Sequence, residues 1–423
     1  RADLAHGANG ATPACGRSGH VRKCSSGSLP LVLQQLTKSL ELLTIINGTI
    51  DKLVAIVDNG RGGDVSNIRE KGEKARRYIV DHVEKYPDQI GQIAAEHLGI
   101  SRQAVNRHLQ RLTRDGALTA KGRTRNKSYA LAPLVRWTHV YAVGPGLEED
   151  AVWRLDVAPR LGHLADNVAD IWQYGFSEMF NNAMDHSQGS EIVVFLTRTA
   201  AKSEILIMDN GVGIFRKIQG ALGLVDERHA ILELSKGKLT TAPTGHTGEG
   251  IFFTSKLFDS FDILSGGLLY GFGDAEGWLM EMAKPNEGTA IWLRLYNHTA
   301  RKMDKVFLQY ASEEDDYRFS KTIVPVRLAK YGEEQLISRS QAKRLLARVE
   351  VFTKVVLDFE GIEMIGPGFA DEIFRVFSNQ HPNIEITPIH TSSAVKRMIA
   401  RAYAAKASGA DQPPADGHQE TAS

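Results

Sequence analysis

Residues 178–213, EMFNNAMDHSQGSEIVVFLTRTAAKSEILIMDNGVG, decide how the middle of this chain is read. The first half has helical spacing. Glu178, Asn182 and Asp185 fall at i, i+4 and i+7 and share one polar face, while Phe176, Met179, Phe180 and Ala183 are left to pack elsewhere. After a turn come two strand-like runs, residues 191–198 and 204–208. The second runs into Asp209-Asn210-Gly211-Val212-Gly213. A polar helix stripe facing an Asp-x-Gly-x-Gly loop reads as a built site, not as a solvated surface.

Working outward, helical patterning extends back to Leu161, and a second glycine-rich segment, TAPTGHTGEGIFFTSKLF, covers residues 241–258. Three further strand-like runs, FDILSG, GWLMEMA and GTAIWLRL, complete a unit at residues 151–298. Four motifs occur in order: Glu178-x-x-x-Asn182-Ala183, Asp209-x-Gly211-x-Gly213, Gly245-x-Thr247-Gly248-x-Gly250 and Gly288-Thr289. Each is weak alone; together, at this spacing, they resemble the GHKL (Bergerat) superfamily of ATP-binding domains.

That resemblance implies an α/β sandwich holding ATP and Mg²⁺. Asn182 matches the asparagine whose carbonyl oxygen holds Mg²⁺, an ion that prefers oxygen ligands. Asp209 would accept from the adenine amine, with Gly211 and Gly213 letting the base approach the backbone. Gly245, Thr247, Gly248 and Gly250 lead into a helix whose N-terminal amides suit phosphate, as a mobile segment over the site. Thr289 would complete the adenine pocket. Asp185 is placed with the nucleotide ligands; His186 is accessory, either contacting phosphate or capping the helix end, and His246 either approaches the phosphates or faces solvent. Glu178 is the candidate general base. Glutamate there resembles the gyrase, MutL and anti-sigma-factor-kinase branches, since ordinary histidine kinases usually carry asparagine. His163, in GHLADN, does not resemble the phospho-acceptor motif of histidine kinases.

Upstream, residues 66–131 read as three helices and two strands. Ala75, Ile79 and Val83 mark the first helix. Ile90, Ile93, Ala94 and Leu98 mark the second, closed by Gly99. Ser101 caps the third, with Val105, Leu109 and Leu112 as its buried stripe. ALTAKGRTRNKSYAL then gives strand, basic turn and strand. This order resembles a winged helix-turn-helix. Residues 101–129 hold eight basic side chains against one acidic one, a net +7. Such a field suits phosphate contacts. The expected DNA contacts are Arg102, Gln103, Asn106, Arg107, Arg111, Lys121, Arg123, Arg125 and Lys127. Gln103, Asn106 and Arg107 are the base-edge candidates.

Downstream, strands alternate with helices over residues 318–405, which predicts one small covered sheet. VVLDFEGIEMIGPGFADEIFRVF resembles the strand–loop–helix of STAS domains, specifically a STAS-like domain often fused to GHKL domains. Gly368 stands where phosphorylated antagonists carry their hydroxyl, and Ser378 and Thr391 are not equivalent to it. Self-phosphorylation by the middle domain therefore lacks its obvious acceptor. Ala370-Asp371-Glu372 reads as a solvated helix start or a charged docking face.

The remainder is less informative. The chain has 423 residues, a net charge of +1, and two cysteines, Cys15 and Cys24, which provide no disulfide framework. No apolar run reaches membrane-spanning length. A cytoplasmic protein without membrane contact is the expectation. Residues 1–28 and 406–423 read as disordered tails. Residues 29–58 carry Leu29, Leu33, Leu36, Leu40, Leu43, Asn47, Ile50, Val54 and Val57 at 4-3 spacing. That is either a coiled-coil seam making a homodimer or a helix packed on its own chain. Residues 132–150 and 299–317 read as connectors. The first methionine is Met179, and Val65 is read as an alternative start.

The expectation is thus a multidomain α/β protein in which a GHKL nucleotide switch is coupled to a winged DNA-binding unit and a STAS-like unit. Two alternatives stay open: a serine/threonine kinase of the anti-sigma-factor type acting on a separate protein partner, and a gyrase- or MutL-like ATPase switch without phosphotransfer.

Overall fold

The computed structural model describes residues 68–123, 127–239, 248–273, 278–282, 284–311, 318–330 and 334–409. The expected seam at residues 29–58, the N-terminal tail, residues 410–423 of the C-terminal tail, Arg125, Gly245, His246 and Thr247 lie outside the described residues, whereas residues 406–409, read as tail, continue the last helix.

Three helices open the described chain: α1 (Ile68–His82), α2 (Ile90–Leu98) and α3 (Arg102–Arg114). The Ser101 hydroxyl accepts from the Ala104 N–H at 3.2 Å and so satisfies one orphan donor of α3. Ile79, Val83, Ile90, Ala94, Val105 and Leu109 meet in one small core. An antiparallel hairpin, β1 (Leu118–Lys121) and β2 (Ser128–Leu131), adds Leu118 and Tyr129 to it.

The middle is a seven-stranded, wholly antiparallel sheet. Its strands are β3 (Val135–Ala142), β4 (Glu191–Arg198), β5 (Lys202–Asp209), β6 (Ser260–Ser265), β7 (Leu268–Gly273), β8 (Trp278–Glu281) and β9 (Thr289–Tyr296). The order across the sheet is β3-β4-β5-β9-β6-β7-β8. Period-two alternation sends Ile192, Val194 and Leu196 of β4, Ile205 and Ile207 of β5, and Ile291, Leu293 and Leu295 of β9 into one core. Packed into the same core are the helical run α4 (Glu149–Val152, Trp153–Val157 and Ala158–Leu161), then α5 (Asp166–His186), α6 (Ile214–Leu222), α7 (Glu227–Lys236) and α8 (Gly250–Leu257). Phe176, Met179, Phe180 and Ala183 of α5 are all buried there.

Several elements differ from expectation. The helix expected from Leu161 breaks at Gly162, where φ is +68°, and resumes at Asp166. Residues 132–150, read as a connector, contain β3, which pairs along its length with β4 from Val135↔Arg198 to Ala142↔Glu191. Only three residues separate β2 from β3, so the N-terminal unit joins the sheet without a linker. The tip of the β4–β5 hairpin enters that unit's core through Ala201, and Lys202 pairs with Glu84 of the N-terminal unit at 2.8 Å. Within residues 299–317, also read as a connector, α9 (Met303–Gln309) packs Phe307 against Tyr174 and Phe253.

The C-terminal unit is a parallel three-stranded sheet in the order β10-β11-β12, with β10 (Lys321–Pro325), β11 (Lys354–Asp358) and β12 (Glu385–Ile389). It is covered by α10 (Arg339–Leu346), the helical run α11 (Pro367–Asp371, Glu372–Phe377 and Ser378–Gln380) and α12 (Ser393–Gly409). A capping box between Ser338 and Gln341 starts α10. The sheet-rich middle and this smaller α/β unit share one continuous core. No described helix is long and apolar enough to cross a membrane.

Candidate functional site

The strand order creates the site. β5 ends at Asp209 and its neighbour β9 begins at Thr289, so the antiparallel pairing sets these two side by side although they lie 80 residues apart in the chain. Asp209 Oδ1 accepts from the N–H of Gly211 at 2.9 Å and of Thr289 at 3.2 Å. Thr289 Oγ1 in turn accepts from the N–H of Ile214, the first residue of α6, at 3.0 Å. Burial raises the Asp209 carboxyl to about 6, against the opposing pull of these bonds. Gly288 makes the approach feasible: its φ is +71°, and a Cβ there would stand 2.0 Å from the Asp209 carbonyl oxygen.

Above this floor is a cavity of about 310 Å³. Its walls are Glu178, Met179, Asn182, Ala183 and His186 of α5, Ile214, Lys217 and Ile218 of α6, Leu234 of α7, and Gly248, Gly250 and Ile251 at the start of α8. Ile207, Asp209, Gly213, Thr289 and Ile291 line the sheet side, and Ser187 and Leu239 also border the cavity. Apolar side chains and a comparable polar surface from Glu178, Asn182, His186, Asp209, Lys217 and Thr289 thus share the slot, a concave site able to hold a small polar molecule. Glu178 and Gly250 are in close approach; a Cβ on Gly250 would fall 1.9 Å from Glu178 Oε2. The Glu178 carboxylate therefore stands at the N-terminal end of α8. Nearby Tyr174 has its hydroxyl pKa raised, first by burial and then by the charges of Glu178 and Glu249. Burial also raises the Glu249 carboxyl, with Lys238 opposing.

Among the expected nucleotide ligands, the structure brings together Glu178, Asn182, Asp209, Gly213, Gly248, Gly250 and Thr289. Gly211 sits behind them, against the backbone of Ser187. Asp185 is exposed and does not line the cavity. His186, one residue on, lines it instead, because α5 ends there and the last turn faces the slot through residues 182, 183 and 186.

Two residues escaped the sequence reading. Lys217 lines the cavity and donates from Nζ to the His186 carbonyl at 2.6 Å; burial lowers its pKa. Its signal lay in an amphipathic run, IFRKIQGAL, directly after the Asp-x-Gly-x-Gly motif. Glu249, between Gly248 and Gly250, does not itself line the cavity but acts on Tyr174 through its charge.

On the N-terminal unit, Arg102, Gln103, Asn106, Arg107, Arg111, Lys121 and Arg123 are all exposed. Lys127 is half-buried, with its ammonium 5.1 Å from the Tyr129 ring centroid. Arg111 also contacts Asp115 at 3.5 Å, a weak surface pair. The contacts to the middle sheet use α1 residues such as Arg77 and the nearby Glu84, so α3 keeps its basic face to solvent.

On the C-terminal unit, Gly368 lies in the first turn of α11. Asp371 is held by Arg375 and Arg339, and Glu372 is buried, so neither forms a free docking face. At the ends of β11 and β12, His390 Nδ1 and Asp358 Oδ1 lie 2.8 Å apart, with Glu360 beside them.

A search of curated proteins returns no match for the chain. Residues 341–396, from α10 into the start of α12, match the family model of a STAS-like domain of unknown function (DUF4325).

Proposed function

We propose that the middle of this chain is a GHKL-type nucleotide domain that binds Mg-ATP, in a regulator whose N-terminal winged helix-turn-helix engages DNA. One observation carries the reading: the Asp209–Thr289 hydrogen-bonded pair and the Asn182–Glu178 stripe line one cavity of about 310 Å³. The residues suit the ligand. Asp209 presents an acceptor to an exocyclic amine, and Asn182 and Glu178 present oxygens of the kind Mg²⁺ prefers. Lys217 adds a cation. When bound, Mg-ATP would supply a phosphoryl group for hydrolysis or transfer.

Titration of a fluorescent ATP analogue, with and without Mg²⁺, tests this directly. Saturable, Mg²⁺-dependent binding that is lost in Asp209→Asn and Asn182→Ala is expected. Binding that is absent, or indifferent to both substitutions, overturns the reading.

The carboxylate of Glu178 beside Gly250 favours a second step beyond binding, with Glu178 as general base. Incubation with γ-labelled ATP separates the outcomes: label on protein indicates a kinase, free phosphate an ATPase, neither a binding switch. Normal turnover in Glu178→Ala refutes the base assignment. The DNA reading is supported by the net +7 over residues 101–129 and the exposed face of α3; an affinity for duplex that ignores salt would refute it.

A further inference from the structure

The cavity wall is fastened to the STAS-like unit at two places, and we infer that ligand occupancy of the cavity is coupled through them to the packing of that unit. The inference rests on the Mg-ATP reading above.

The first fastening is the end of α7. Leu234 lines the cavity, and two residues later Lys236 is almost fully buried. Its Nζ pairs with Glu233 at 2.7 Å and donates to the carbonyl of Ala347 at 2.7 Å, just beyond α10. From β10, Thr322 Oγ1 donates to the Lys236 carbonyl at 2.7 Å. The second fastening is the start of α8. Ile251 lines the cavity, and the next two residues, Phe252 and Phe253, set their rings 4.6 and 4.9 Å from that of Phe319, which leads into β10. Phe319 in turn meets Phe352, just before β11, at 5.2 Å.

Two walls of one cavity thus end on one neighbour. A buried ion pair cannot be drawn apart without stranding a charge, and packed rings resist gradual deformation. A ligand that shifts α7 or α8 must therefore shift the joint, and by reciprocity whatever repacks the joint changes ligand affinity. The STAS-like unit then acts on the site by holding its walls, with no need of a phospho-acceptor hydroxyl at Gly368.

Hydrogen exchange on the full chain, with and without Mg-ATP, is the test. Expected is slower exchange at residues 178–187 and 209–218, and also at 319–324 and 345–353, by about fivefold or more, with residues 393–402 of α12 unchanged. Protection of the cavity segments alone overturns the coupling and leaves the nucleotide reading standing. Equal slowing everywhere, α12 included, also overturns it, since that is global stabilisation by mass action. No protection at the cavity overturns the nucleotide reading, and the coupling falls with it.

Discussion

Replacing Lys236 by methionine is the sharpest test of how the sheet and the STAS-like unit are held together. The side chains of Lys236 and Glu233 are only 2% and 5% exposed. Removing the ammonium leaves the Glu233 carboxylate buried, with Arg348 Nε at 3.7 Å as its remaining described cation, and deprives the Ala347 carbonyl of its donor. Breaking one half of a buried pair costs about 3–5 kcal/mol. Arg348 is 38% exposed and more distant, so it offsets little, and a loss near about 3 kcal/mol is expected. Urea unfolding followed by tryptophan fluorescence reads the loss. The double variant Lys236→Met/Glu233→Gln, which removes the stranded charge, should recover part of it. A Lys236→Met protein within about 0.5 kcal/mol of wild type, the range of an ordinary surface substitution, would refute the argument. So would a double variant no more stable than Lys236→Met alone.

Four other outcomes follow from the geometry. Nucleotide affinity should weaken on acidification through about pH 6, where Asp209 takes up a proton and ceases to be a pure acceptor; affinity that is flat from pH 5 to 8 contradicts that role. Gly288→Ala places a Cβ 2.0 Å from the Asp209 carbonyl at a positive φ, and should cost about 1–3 kcal/mol, seen as a lowered unfolding midpoint. Lys217→Met should weaken binding of the triphosphate at least tenfold, about 1.4 kcal/mol, in a fluorescent-nucleotide titration; unchanged affinity would place the ammonium outside the ligand's reach. Arg107→Ala should weaken duplex binding and reduce the magnitude of the salt slope by about one if that side chain meets a phosphate, whereas relaxed sequence preference would mark a base contact.

By itself the sequence determined what depends on near neighbours. Ser101 as a cap, the 3.6-residue stripe of α3, the period-two strands β4 and β5, and the strand–helix alternation of the C-terminal unit are local patterns, and the chain adopts them. The order of four short motifs, three of them glycine-containing, likewise singled out Asn182, Asp209 and Thr289, which line one cavity.

Only the tertiary structure decided the rest, because it depends on pairings between distant segments. Residues 135–142 lack clean alternation, with Arg136, His139 and Tyr141 among apolar neighbours, and become a strand by pairing with β4 at the sheet edge. Residues 299–317 read as a linker because of the charged run SEEDDYR, yet residues 303–309 form a helix because Val306 and Phe307 find an aromatic cluster to pack on. Asp185 shares a stripe with Glu178 on a helical wheel, but the slot faces His186, and a wheel does not say where the opposite wall stands. Lys236 is plainest of all. In sequence it is one lysine in ELSKGKL; it becomes the buried tie between two units only because Ala347 and Thr322, about a hundred residues away, arrive beside it. Hydrogen bonding and burial of that kind are properties of the assembled core, and no local pattern encodes them.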